Sequence, residues 1–151
     1  MSVGSICRRE AVTIEPEASL ADAARVMREQ HVGMLVVVEP VAGGTDRRVQ
    51  GVLTDRDIVT TVVGRDTQPG ELKVVDIMTR NPLTVAEGQS VPAVLRHMRD
   101  LGVRRVPVVG SRNELVGVLS LDDVLDFVAD QLSVLSGAIR GGQNRERVMR
   151  P

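Results

Sequence analysis

Leu20, Ala23, Ala24 and Met27 recur at i, i+3, i+4 and i+7, the spacing of one face of an α-helix. Val91, Val94, Leu95 and Met98 repeat that stripe further along the chain. Ser19 precedes the first stripe as an N-cap, with Asp22 three residues on as a capping box, and Ser90 takes the cap position of the second. Gly102 closes the second helix in the left-handed conformation that helix ends favour. Its counterpart is His31, a residue type that tolerates that conformation. Unbroken apolar runs follow at 34–38 and 106–109, which predicts strands buried on both faces. Second strands are predicted at 51–53 and 116–119, and second helices at 55–63 and 121–132. Ahead of each stripe lie a short helical turn (3–7; 75–78) and an extended step (11–14; 82–85). Loops are expected at 40–48, with Gly43-Gly44, and at 110–114; a linker at 64–71 holds the turn signal Pro69-Gly70.

The order of elements is thus β-α-β-β-α, twice, because the chain contains one block twice. Residues 3–38 align with 74–109 without a gap, and eleven of the 36 pairs are identical, among them Arg9/Arg80, Thr13/Thr84, Met27/Met98 and Val37/Val38 with Val108/Val109. Composition alone gives about three. After loops of unequal length, Gly51-Val-Leu-Thr-Asp-Arg-Asp57 matches Gly117-Val-Leu-Ser-Leu-Asp-Asp123. The expected fold class is α+β, two units related by pseudo-twofold symmetry and sharing one core, since a unit of this size buries a marginal core alone. The units are expected at 1–66, with a linker to 73, and at 74–132, followed by a partly flexible C-terminal extension, 133–151. From 141 to 151 the apolar period fades among Arg140, Arg145, Arg147 and Arg150, as in a frayed tail or a helix ordered by a partner.

Composition removes several function classes. No apolar run is long enough to span a membrane, and the N-terminus carries no apolar leader, so a cytoplasmic protein is expected. A net charge of −1 and a single aromatic residue, Phe127, disfavour nucleic-acid binding, which draws on basic patches and stacking platforms. Cys7 stands alone and aligns with Met78, so it reads as a small core position. His31 and His97, with no Cys or acidic cluster at ligand spacing, make a weak metal site. No nucleophile–base pair and no GxxxxGK loop argue for catalysis, so no enzyme activity is expected.

The sharpest chemical feature is the strand-to-helix junction. Thr54-Asp-Arg-Asp57 and Ser120-Leu-Asp-Asp123 both read Ser/Thr-x-x-Asp, which is a helix-capping box. The same place is also where backbone N–H groups and a helix dipole attract phosphate, where a carboxylate one turn in can accept a ribose diol, and where Arg56 adds a guanidinium fork. The repeat is broken where Arg104-Arg105 stand against Gly33-Met34, and where Asp122 stands against Arg56.

These residues resemble the cystathionine-β-synthase (CBS) domain pair, or Bateman module. The resemblance is carried by Ile-Met-Thr-Arg-Asn-Pro-Leu-Thr-Val at 77–85, Val-Arg-Arg-Val-Pro-Val-Val at 103–109 and the two Gly-Val-Leu endings, and it covers the chain from residue 3 to about 132. It implies a regulatory protein that binds adenosine-type ligands (AMP, ADP, ATP or NAD) in clefts between the motifs, forms a homodimer and acts on a separate effector protein. One cleft would join Thr54, Arg56 and Asp57 to Pro82, Leu83, Arg104 and Arg105. The other would join Ser120 and Asp123 to Ala11, Val12, Gly33 and Met34. Asp57 and Asp123 would hold ribose, and Thr54, Arg56 and Arg105 would face phosphate; the second cleft, with fewer arginines, would suit a less charged ligand or stay empty. The competing reading is a structural module that docks on a partner without needing a nucleotide.

Overall fold

Each copy of the repeat builds its own small sheet. The computed structural model describes residues 1–44 and 46–149, apart from the side chains of residues 144, 146 and 148. After a 3-10 turn at Val3–Ser5 the first motif runs β1 (Thr13–Ile14), α1 (Leu20–Gln30), β2 (Met34–Pro40), β3 (Arg47–Thr54) and α2 (Asp55–Val62). The second runs α3 (Val74–Ile77), β4 (Thr79–Arg80), β5 (Val85–Ala86), α4 (Val91–Leu101), β6 (Arg105–Val109), β7 (Leu115–Ser120) and α5 (Leu121–Met149). The sheets have the orders β1-β2-β3-β4 and β5-β6-β7. In each, the first two strands are parallel and the next pair antiparallel.

Burial on both faces explains why β2 carries an unbroken apolar run. Leu35 and Val37 join Leu20, Ala23 and Met27 in a core under the helices. Met34, Val36 and Val38 face the other way and pack with Val52, Leu115 and Val118 of the two sheets. The second helix-side core, with Val94, Met98, Val106, Val108 and Leu119, repeats the arrangement. Bulges at Val37/Val38 and Val108/Val109 fall at matching places. Parallel pairing starts at Val36 in one sheet but at Val108 in the other. The position matching Val36 is Pro107, which has no N–H to donate, whereas Val36 N donates to Val12 O at 3.0 Å.

The lead-in segments are exchanged between the motifs. Val3 is buried in the second motif's core, and Val74 in the first motif's. β4 pairs with β3, and Arg8 bridges to Val118 of β7 in the equivalent place. Gly51 and Gly117 make room for this: a Cβ on Gly51 would stand 2.8 Å from Thr79 O, and one on Gly117 2.2 Å from Arg8 O.

Two expectations change. The second helix expected at 121–132 is longer, because α5 continues to Met149. No proline interrupts it before Pro151, and its glycines weaken a helix without breaking it; Arg150 and Pro151 of the expected tail lie outside the described residues. Ser90 sits at the cap of α4 but its side chain caps nothing. Val91 N donates to Met1 O, Pro92 has no N–H, and Ala93 N donates to Ser90 O. Ser19 does accept from Asp22 N, at 3.0 Å. Ser19→Ala is therefore expected to cost about 1 kcal/mol in thermal or denaturant unfolding, and Ser90→Ala next to nothing.

Candidate functional site

The exchange of lead-in segments brings each Ser/Thr-x-x-Asp junction opposite the other motif's leading residues, and a cleft opens at both places. The larger, about 680 Å³, is lined by Thr54, Arg56 and Asp57 from the β3–α2 junction, by Pro82 and Leu83 after β4, and by Arg104 and Arg105 at the start of β6. The smaller, about 220 Å³, is lined by Ser120 and Asp123 from the β7–α5 junction together with Ala11, Val12, Gly33 and Met34. Every residue expected at a cleft from the sequence thus lines the expected one. Gly33, Met34 and Arg105 line both.

Both junctions are also real capping boxes. At the first, Thr54 N and Thr54 Oγ1 donate to Asp57 Oδ2 at 2.9 and 2.7 Å, and Asp57 N donates back to Thr54 Oγ1 at 3.2 Å. The Thr54 hydroxyl proton is committed to that carboxylate, so the hydroxyl can face a phosphate only by giving it up. Asp57 Oδ1 has no partner among the described residues. One acceptor oxygen therefore stays open on the wall of the larger cleft.

At the second junction Ser120 engages Asp123 Oδ2 in the same way. Here Oδ1 is taken as well, by Arg8 Nε at 2.6 Å. Burial pushes the Asp123 carboxyl up, but the hydrogen bonds from Ser120 and Arg8 outweigh it and hold the group below the ordinary carboxylate range. A carboxylate depressed in the folded state stabilises the fold above its unfolded value, about 3.9, and that stability is lost as pH falls through the lower folded value. The Asp123 side chain is 8% exposed but that of Arg8 is 71% exposed, so solvent screens the pair and its worth is under about 1 kcal/mol. Arg8→Ala is expected to melt slightly below the parent protein at pH 7 and to converge with it in strong acid. A deficit that persisted in acid would assign the loss to packing instead.

The two clefts differ in charge. The larger sets Arg56, Arg104 and Arg105 against Asp55 and Asp57. Arg56 and Arg104 have no ion-pair partner among the described residues. The smaller sets Arg8 and Arg105 against Glu10, Asp122 and Asp123, and Arg105 leans toward Asp122 at 3.9 Å. An anion is favoured in the first and not in the second.

Sequence reasoning passed over Arg8, which has no local motif, although the repeat offered a clue: its counterpart Thr79 lines the larger cleft. It also passed over Asn81, whose left-handed backbone (φ 46°) turns the chain between β4 and Pro82 into the larger cleft, and it read His31 as a helix terminator and a weak metal ligand but not as a cleft residue. His31 does end α1 in the left-handed conformation (φ 54°), and it lines the smaller cleft too. No group of three or more His, Cys, Asp or Glu that could hold a metal occurs among the described residues. Cys7 is half-buried against the second core, and burial pushes its thiol up, as a packing residue requires.

The chain belongs to the CBS domain family, whose pattern matches residues 3–64 and 74–130. An uncharacterized protein of Methanopyrus kandleri is 33% identical over 129 residues, 83% of this chain and 61% of that protein. The chain thus spans about three fifths of that relative's length. A hexameric CBS-CP12 protein from bloom-forming cyanobacteria is 28% identical, with a TM-score of 0.72 over 93% of this chain and 81% of that one. A CBS domain protein from Pyrobaculum aerophilum complexed with AMP is 26% identical, with a TM-score of 0.70 over 82% of this chain and 89% of that one. No helix among the described residues is long and apolar enough to cross a membrane.

Proposed function

We propose that this chain is a non-catalytic regulatory module of the cytoplasm that binds an adenine nucleotide in the larger cleft and passes the signal to a separate effector protein through the geometry of a homodimer. Asp57 takes the ribose diol with its open oxygen. Arg56, Arg104 and Arg105 take the phosphates, and Pro82 and Leu83 offer an apolar slot for the base. AMP, ADP, ATP and NAD all present this chemistry. The observation that carries the reading is an acceptor carboxylate and three guanidiniums on one cleft of about 680 Å³, within the size range of small-ligand sites. The AMP complex of the Pyrobaculum relative supports the choice of ligand class. A ligand shifts a dimer only by binding its arrangements unequally, and the arginines let phosphate number supply that difference.

The smaller cleft, with Asp123 held by Arg8, is read as empty or as a site for a less charged adenosine compound. A docking module that needs no nucleotide is the second reading; the capping boxes favour it, since Thr54, Ser120 and their aspartates already have a structural task.

The chain has no Trp or Tyr and one Phe, so the pure protein absorbs almost nothing near 280 nm. A band near 260 nm that leaves with the filtrate after denaturation is the expected result for a nucleotide sensor. Mass spectrometry of the filtrate then names the ligand. No band, together with no melting shift in AMP, ATP or NAD, would leave the docking reading.

A further inference from the structure

α5 outruns the fold it belongs to. Val124 is its last buried residue and Phe127 is half-buried; from Val128 to Met149 no described residue is buried. Yet this stretch is not polar. Leu125, Val128, Leu132, Leu135 and Ile139 are 65, 44, 61, 60 and 63% exposed. Their spacing of three, four, three and four residues is the a/d seam of a coiled coil. Gly137, Gly141 and Gly142 each weaken the helix by about 1 kcal/mol relative to alanine. Helices stay formed in proteins mainly by packing an apolar face, not by propensity, so this seam needs a cover.

Charge along the helix says what covers it. The N-terminal part carries Asp122, Asp126 and Asp130, and the C-terminal part Arg140, Arg145 and Arg147 with one acid among them. A parallel copy would set acid against acid and base against base. An antiparallel copy would set each acidic part against a basic part, with Asp122 opposite Arg145, and keep the apolar seam in register, with Val128 facing Ile139 and Leu132 facing Leu135.

We propose that α5 pairs antiparallel with α5 of a second copy of this chain through Leu125, Val128, Leu132, Leu135 and Ile139. The pairing gives the homodimer of the proposed function its contact surface and rests on that reading for its role, but it stands or falls on a separate measurement. Light scattering on the full chain is expected to give twice the 16.3 kDa chain mass. The Leu132→Asp/Leu135→Asp double variant is expected to give the single chain mass, with its AMP titration still measurable as proof that the two-motif fold is intact. In a Cys7→Ser background, Val128→Cys chains mixed with Ile139→Cys chains are expected to cross-link to each other. A parent protein at the single chain mass, a double variant that stays dimeric, or cross-links only between like chains would each overturn the pairing. None of these results would touch nucleotide binding, whose failure appears in the titration alone.

Discussion

Asp57→Ala is expected to remove nucleotide binding at the larger cleft while leaving the protein folded. A carboxylate that accepts two hydrogen bonds from a ribose diol contributes about 1.5–3 kcal/mol for each bond, so affinity should fall by at least about a hundredfold. The same substitution also takes the acceptor from Thr54 N and Oγ1, a cap worth about 1 kcal/mol. Thr54→Ala separates the two roles. It breaks the capping box from the other side and leaves the carboxylate in place, so it should show the same small loss of stability with binding largely retained. Equal losses of affinity in both variants would mean that Asp57 matters only as a cap. Asp123→Ala should leave the tight binding event untouched, because Arg8 already occupies that carboxylate.

Gly117→Ala is expected to have the largest effect on stability of any single methyl addition. Its Cβ would stand 2.2 Å from Arg8 O and 3.0 Å from Arg8 C. Both are backbone atoms, so no rotamer change relieves the contact. The lead-in strand must move off β7, which endangers the reciprocal bonds of Arg8 and Val118, each 2.9 Å. Overpacking of this kind costs about 3 kcal/mol, which lowers the melting temperature of a domain of this size by roughly 6–12 °C. Gly51→Ala should behave alike, against Thr79 O and the Met78 thioether. Gly70→Ala and Gly88→Ala, where nothing lies within 4 Å, are the controls and should be nearly silent. If Gly117→Ala melts with the controls, the exchange of lead-in segments is wrong.

That exchange marks the limit of what the chain's pattern reveals. Periodicity tells that Val3 and Val74 are buried but not against which motif, and each turns out to fill the other motif's core. The strands, the stripes on α1 and α4 and the left-handed His31 and Gly102 were legible because each depends on neighbours in sequence. The residues gathered on each cleft were legible through the repeat, which says that the sites come as a pair, and through the family resemblance, which implies which junction meets which lead-in. Arg8 was not, because its partner Asp123 lies 115 residues away and the other copy has Thr79 in its place. The cap at Ser90 misled because Ser at that spacing is only an opportunity; Pro92 and the Met1 carbonyl had removed the need. α5 runs on past the expected end at 132, where the glycines and arginines of 137–147 mask an apolar seam that packs against nothing in this chain.

Calorimetric titration of nucleotide-free protein with AMP, and in parallel with adenosine, tests nucleotide sensing most directly. The arginines of the larger cleft predict saturable AMP binding at one site per chain, at least about tenfold tighter than adenosine, the worth of one charge-assisted hydrogen bond. No heat with AMP, ATP or NAD, or equal affinity for AMP and adenosine, would contradict it.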